Sequence, residues 1–589
     1  MKRGVEWLSG HTALIFPENM AKTHTVQEVL DLIFQDEDSD LDEDVSEQED
    51  QLEENSDYSH SDDDDDEDND DANDEDEEQA AVETVMSKNN AISWSSLPRT
   101  VAGRMAGENV IQMTPGPTRL VISHASDILS VFQLFLPVAI ERIVIEMTNS
   151  EGIKRHGQEW KTIDVTQLHA YIGLLILAGV YRSRGEAASS LWSADTGRPI
   201  FRATMSLEMF RTISAVIRFD NRETRPVRRA TDKLAAIRDV WDKWVERLPL
   251  MYNPGPEVTV DERLVPFRGR CPFRQYMPSK PGKYGIKLWA ACDARSSYAW
   301  NMQVYTGKPA GGTPERKQGM RVVLEMTEGL RGHNVTCDNF FTSYELGQEL
   351  LKKKMTMVGT VRRNKPELPP TLVTTRGREV FSSKFAFTHD TTVVSYMPKK
   401  NKNVILMSTL HKAAEISTRE DRKPTMILEY NANKGGVDNL DKVTGTYSCK
   451  RRTARWPLAI FHNIIDISTY NSFVIWRELN PTWRASTRNW RRHFLEELGK
   501  ALVTPCMQKR RHLPRTAASA TLVRAVQPPQ PGPDEVPQDD NRMGQKRKRC
   551  NFCPPKKDCK TGTTCCKCRK HICKAHTHKV SYYCFECTQ

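Results

Sequence analysis

The sequence predicts a multidomain α+β protein: an α/β core with an inserted mainly-β segment, all-α segments on either side, and a C-terminal cross-brace zinc-finger domain. Three observations carry this prediction. The 589 residues exceed what one hydrophobic core supports. Short β-rich runs separated by Gly, Pro and Ser, between Pro256 and Val361, stand between two stretches of helical periodicity. Nine of the 14 cysteines crowd between Cys550 and Cys587.

Charge divides the chain first. Overall it carries 84 Lys+Arg against 77 Asp+Glu, a net of +7. The 43 residues from Asp36 to Glu78 hold 27 acidic side chains and no Lys or Arg, which leaves 84 basic against 50 acidic groups elsewhere. A body that positive suits polyanions, nucleic acid first, and disfavours an ordinary secreted or metabolic enzyme. Residues 1–110 are expected to be a disordered acidic region, serving as a solubilising tail or as an internal polyanion that competes for the DNA surface. Gly4 to Asn19 has no continuous apolar run. The longest such run, Ala170 to Tyr181, falls short of the ~18 residues of a spanning helix and predicts a buried core helix with no membrane partner. A terminal Cys/His cluster without a signal segment points to metal in a reducing compartment.

Residues 111–256 read as helical, with periodic segments at Asp127–Met147, Val165–Tyr181 and Leu207–Phe219. Residues 257–365 form the first part of the core. Strands are predicted at Val258–Asp261, Gly285–Cys292, Tyr298–Tyr305, Asn334–Asp338 and Met355–Val361, with a helix over Ser343–Lys354. Residues 366–424 read as the insertion, with β-like pieces at Thr391–Tyr396 and Val404–Ser408, and 425–447 as the second part of the core. Residues 448–513 are a second helical block. Residues 514–549 are a proline-rich linker closing on Lys546-Arg-Lys-Arg549, either a nuclear-import signal or a DNA-facing basic patch. Residues 550–589 are the Cys-rich domain.

Three aspartates stand at places where carboxylates project from a sheet edge. Asp261 ends a β-like run, Asp338 ends another, and Asp438 follows Gly435-Gly436-Val437 at the start of a helix. Phosphodiester chemistry uses such a set, since two Mg²⁺ ions roughly 4 Å apart activate the attacking oxygen and stabilise the leaving one. Hard Mg²⁺ prefers carboxylate oxygens. No G-x-x-x-x-G-K-[ST], H-E-x-x-H or G-x-S-x-G pattern occurs, so a nucleotide cofactor, zincin or serine-hydrolase reading has no support.

The wording around these aspartates is long and specific. Val260–Arg274, Tyr276–Lys287, Thr336–Ser343, Gly359–Lys365 and Lys434–Asp441 resemble, in order, the piggyBac transposase family. Arg455-Trp456-Pro457, the acidic N-terminus and the terminal Cys/His cluster are similar too. The resemblance implies an RNase H-like core interrupted by an insertion, flanked by helical dimerisation and DNA-binding segments, in a nuclear homodimer. It implies Asp261, Asp338 and Asp438 as catalytic ligands of two Mg²⁺. Asp441, one helical turn beyond Asp438, matches a supportive fourth acid, or is simply a helix-surface charge. The implied reaction on double-stranded DNA is cut-and-paste transposition. Strand nicking, hairpin formation and hairpin reopening release 3′-OH ends, which then join TTAA targets.

Basic and aromatic residues interleave around the triad, a pattern suited to phosphates and unpaired bases. Candidate DNA contacts are Arg268, Arg270, Arg274, Tyr276, Lys280, Lys283, Lys287, Arg451, Arg455 and Trp456. Arg362 and Lys365 match family positions associated with target-DNA engagement. Trp289, in mid-strand, reads as core. In the terminal domain, Cys550-x₂-Cys553, Cys565-x₂-Cys568, Cys573-x₂-His576 and Cys584-x₂-Cys587 supply eight ligands for two structural Zn²⁺. The cross-brace pairs Cys550, Cys553, Cys573 and His576 on one ion and Cys565, Cys568, Cys584 and Cys587 on the other, with His578 a substitute for His576. A RING or PHD adaptor has the same spacing, but the many lysines favour DNA. A domesticated, non-catalytic DNA-binding protein is the remaining class.

Overall fold

Strand-forming sequence in the middle of the chain obeys a period of two. Thr259, Asp261 and Arg263 share one face of their strand, and Val258, Val260 and Leu264 share the other. The structure, a computed structural model, describes residues 83–98, 110–307, 315–527, 548–554, 556–557, 559–562, 564 and 570–576. Eleven strands form one mixed sheet: β1 (Thr84–Met86), β2 (Ser93–Ser95), β3 (Glu257–Pro266), β4 (Gln275–Tyr276), β5 (Tyr284–Asp293), β6 (Ala299–Val304), β7 (Asn334–Cys337), β8 (Thr356–Thr360), β9 (Ser383–Phe387), β10 (Thr392–Lys399) and β11 (Lys402–Ser408). Their order is β1-β2-β9-β10-β11-β8-β7-β3-β5-β4, with β6 on β5. β3, β7 and β8 run parallel, and the remaining pairings are antiparallel.

The principal helices are α1 (Val138–His156), α2 (Val165–Val180), α3 (Leu207–Val216), α4 (Gln318–Met326), α5 (Tyr344–Lys352), α6 (Thr425–Asn433), α7 (Gly436–Thr446), α8 (Trp456–Leu479), α9 (Trp490–Gln508) and α10 (Ala517–Val526). Asp164 starts α2 with a reciprocal capping box to Gln167. The periodic segment at Asp127–Met147 becomes two helices because Pro137 stands at the N-cap of α1. The two helical blocks form one packed body. Gly173 of α2 meets Gly499 of α9, where a Cβ on Gly173 would lie 2.8 Å from Leu502. Trp244 Nε1 donates to Ser468 Oγ of α8 at 2.9 Å across the same seam. The predicted apolar run is the buried body of α2, and among the described residues no helix is long and apolar enough to cross a membrane.

Three regions differ from the sequence reading. Residues 366–424 do not curl into a sheet of their own: β9, β10 and β11 extend the central sheet beyond β8. They share a small second core in which Val358, Val394, Tyr396 and Leu406 pack against Met426 and Ile427 of α6. Residues 83–98, assigned to the acidic region, form the β1–β2 hairpin, while the acidic run itself lies outside the described residues. The segment read as linker begins with α10, which packs on the helix Pro199–Thr204 through Ser519 Oγ donating to Pro199 O at 2.9 Å. Short elements held by distant partners leave little periodicity to detect.

Candidate active site and metal centre

Parallel register brings two of the aspartates together. Val260 of β3 pairs with Cys337 of β7, so Asp261 and Asp338 emerge side by side where the parallel ladder ends: Asp338 just past β7, and Asp261 midway along β3, which runs on to Pro266 and does not stop at Asp261 as the sequence suggests. Crevices of α/β sheets open at such ends. The Asp261 carboxylate accepts from its neighbour Glu262 N at 2.7 Å, and Asp338 accepts from Phe340 N at 2.9 Å. Strand alternation turns Asp261 toward the face covered by α6 and α7, which Thr259 and Arg263 also contact. There Thr259 Oγ1 donates to Asn433 O at 2.6 Å, at the end of α6. A Cβ on Gly436 would fall 2.6 Å from Thr259 Oγ1, so only glycine lets α7 begin this close to β3. Asp438 then sits in the first turn of α7, where the helix dipole favours an anion.

The electrostatics are those of an acid pocket. Burial, then the Asp338 carboxylate and more weakly Asp438, push the Asp261 carboxyl up to about 7. Burial also raises Asp338, against the pull of the Phe340 and Phe341 amides and of Arg362. Asp438 Oδ1 accepts from Lys280 Nζ at 2.9 Å. Burial works against the Lys280 ammonium, but Asp438 and Asp261 leave its pKa above the ordinary value.

The three carboxylates do not gather around a single point. Among the described residues, the one set of three or more ligand atoms within 4.8 Å of each other lies in the C-terminal module. Two ions roughly 4 Å apart need no such single sphere, because a middle carboxylate is shared. Asp261, whose acidity registers both other aspartates, suits that middle role. As a donor set, three carboxylates fit hard divalent cations, and burial raises two of them, Asp261 and Asp338.

Asp441 faces elsewhere. Its Oδ1 accepts from Arg263 Nε at 2.6 Å, and Arg263, 2% exposed, also donates to Thr444 Oγ1 at 3.2 Å. This pair latches α7 to β3 and fixes the helix that carries Asp438.

The predicted DNA contacts divide into outward and inward groups. Arg268, Arg270, Arg274, Lys283 and Arg362 are exposed. Tyr276 is 57% exposed and packs its ring 4.8 Å from Tyr284, over which Arg274 also lies. Arg362 donates to Asn339 Oδ1 at 3.2 Å, one residue past Asp338. Lys365 lines a cleft. Lys287 is engaged by Glu262. Trp456 stands edge-on to Phe273 at 5.0 Å. Arg451 and Arg455 turn inward and donate to backbone carbonyls, Arg451 to Ser183 and Arg455 to Ile217 at 2.8 Å and to Ser214. They staple the helical blocks, and the DNA contact expected of them is not what these side chains make. Basic sequence does not distinguish a guanidinium aimed at phosphate from one aimed at helix-terminal carbonyls.

One group went unnoticed in sequence. Burial, and the nearby Asp338 and Asp261 carboxylates, raise the hydroxyl of Tyr430 on α6 above its ordinary range, so a neutral hydroxyl stands near the acid pocket. Its only sequence signal is its position eight residues before Asp438.

In the terminal module, Cys550, Cys553, Cys573 and His576 bring one ligand atom each within 4.8 Å of the others. Cys553 Sγ lies 3.7 Å from Cys573 Sγ, and His576 Nδ1 lies 3.6, 3.8 and 3.3 Å from Cys550, Cys553 and Cys573. A tetrahedron with Zn–S near 2.3 Å has edges of about 3.7 Å, so this set is compatible with zinc through Nδ1. Cys565, Cys568, Cys584 and Cys587, the predicted second site, lie outside the described residues, as does His578.

Comparison with known proteins agrees with this geometry. The family model described as Transposase IS4 matches residues 128–473. A cryo-EM structure of a piggyBac transposase synaptic complex with hairpin DNA is similar at a TM-score of 0.65 and 33% identity, covering 80% of this chain and 100% of that one. PiggyBac transposable element-derived protein 3 of Homo sapiens is 23% identical over 345 residues, 55% of this chain and 57% of that protein. PiggyBac transposable element-derived protein 2 of Homo sapiens is 22% identical over 377 residues, 59% of this chain and 61% of that protein. The chain thus spans about three-fifths of the length of these curated relatives. Family model, shared fold and parallel-strand acid pocket together show that this chain belongs to the piggyBac-type transposases.

Proposed function

We propose that this protein is a DNA transposase that excises and integrates double-stranded DNA at TTAA sites, using Asp261, Asp338 and Asp438 as its catalytic carboxylates. The observation that carries this reading is the juxtaposition of Asp261 and Asp338 by parallel register, with Asp438 brought in on α7. Two Mg²⁺ bound there would polarise the attacking and leaving oxygens of each phosphodiester step. Burial and Asp338 raise the Asp261 carboxyl to about 7, so holding a cation there would require it to give up its proton. Lys280, which donates to Asp438, would exchange that carboxylate for a DNA phosphate.

Bonds are exchanged one for one. A 3′-oxygen freed by hydrolysis displaces another 3′-oxygen at phosphorus when the hairpin forms, and water reopens it, so no nucleotide cofactor is needed. Arg362 and Lys365 engage target DNA. Zinc holds the terminal module, which reads the transposon ends. A nuclear homodimer holds two ends together, and the basic tetrad ending at Arg549 suits import.

A second reading, a DNA-binding protein that keeps the fold without turnover, is favoured by one observation: Asp438 is tied to Lys280. Incubating the purified protein with Mg²⁺, a pre-cut duplex end and a TTAA-bearing plasmid separates the two. Joined products at TTAA are expected. Tight DNA binding with neither nicking nor joining would establish the silent reading instead.

A further inference from the structure

The β1–β2 hairpin grips one loop. Lys88 N donates to Leu368 O at 3.1 Å and Asn89 N to Pro366 O at 3.2 Å. Lys88 Nζ donates to Arg363 O at 2.8 Å, and Trp94 Nε1 donates to Glu367 O at 3.0 Å. Four donors from residues 88–94 therefore end on carbonyls of the single stretch 363–368. That stretch belongs to no helix or strand, and its own bonds are two turns, Lys365 N to Arg362 O and Leu368 N to Lys365 O.

The hairpin is itself well anchored. Trp94 is 1% exposed and stands edge-on to Tyr344 at 5.9 Å, while Ser95 of β2 pairs with Phe387 of β9. On the opposite side, Arg362 reaches Asn339, next to Asp338. A cleft of about 400 Å³ lies between Asn89 and Ile92 of the hairpin, Phe340, and Lys365 of the loop. So the loop that carries Arg362 and Lys365 touches the acid pocket at one end and is held by the hairpin along the rest.

We propose that residues 83–98 are a positioning strap that fixes the Arg362–Lys365 loop where target DNA meets the acid pocket. The inference rests on the reading of Arg362 and Lys365 as target-DNA contacts. A loop with two internal turn bonds samples many conformations, and each strap bond removes some of them. Excision needs the acid pocket and the transposon end. Joining needs a second duplex aligned to the 3′-OH as well, and such alignment is sensitive to displacements of about 1 Å.

The test uses the full chain carrying Trp94→Ala, which deletes both the buried anchor and the indole donor. Trp94→Phe keeps the ring and loses only the N–H. Integration of a pre-cut 3′-OH end should fall about tenfold relative to excision for Trp94→Ala and less for Trp94→Phe. Backbone amides of 362–368 should exchange faster in the same order. The double change Arg362→Ala with Lys365→Ala runs alongside. If that pair lowers the ratio and Trp94→Ala does not, the strap is wrong and the reading of the loop stands. If neither lowers it, the loop reading falls and the strap with it. Should Trp94→Ala unfold the chain, Lys88→Ala carries the same comparison, since its exposed side chain donates to the Arg363 carbonyl. Unchanged exchange in 362–368 for that variant would overturn the proposal.

Discussion

At Asp261, burial and the Asp338 charge raise the carboxyl to about 7 from an ordinary value near 4. Between those limits the folded chain holds a proton that the unfolded chain has released, so this group opposes folding increasingly as pH rises through the window. Asp261→Asn removes that cost. In magnesium-free buffer its melting temperature should exceed that of the wild type at pH 8, with the gap closing toward pH 4; a gap independent of pH would contradict the assignment. Asp441 makes the opposite case. Removing it leaves the buried Arg263 guanidinium without its counter-charge, which costs about 3 kcal/mol. Asp441→Ala should therefore melt early, whereas Asp438→Ala, an exposed side chain, should melt nearly as wild type while losing activity. Equal melting of the two would remove the latch from the account. Sequence motif alone placed both residues on one helix, and only the structure shows that they face different partners.

Elements were legible where period and length agreed. β5 and α2 appear within one residue of where alternation or helical spacing put them, because each buries a full face, whereas β3 runs to Pro266, well past the Asp261 at which its sequence pattern stops. The β1–β2 hairpin was not legible, since strands of three residues carry too few positions for a period and their stability comes from the distant 363–368 loop. For Arg451 and Arg455 the sequence does not say whether the cation turns inward, which depends on which carbonyls lie opposite. This gives a test at the level of elements. Arg455→Ala unties α8 from the end of α3, so it should lower thermal stability and leave the salt dependence of DNA binding unchanged. Arg362→Ala should reduce the slope of log affinity against log salt by about one without loss of stability. A reversal of those two outcomes would return Arg455 to the DNA surface.

Across the whole molecule, the proposed function has the basic body and the terminal module meet DNA, with the acidic run as their competitor or as a solubilising tail. Deleting residues 1–80 should tighten nonspecific DNA binding at low salt, and unchanged affinity would leave the run as a solubilising tail. Stripping zinc should remove amide protection around Cys550, Cys553, Cys573 and His576, while the central sheet melts as before. The central claim concerns the trio of acids. Its most direct measurement is strand cleavage of a TTAA-flanked donor by Asp261→Asn, Asp338→Asn and Asp438→Asn, each compared with wild type in Mg²⁺. Every one of the three should lose about a thousandfold in rate with its DNA affinity intact, as removal of several kcal/mol of transition-state stabilisation requires. Cleavage at the wild-type rate by any single variant would contradict it.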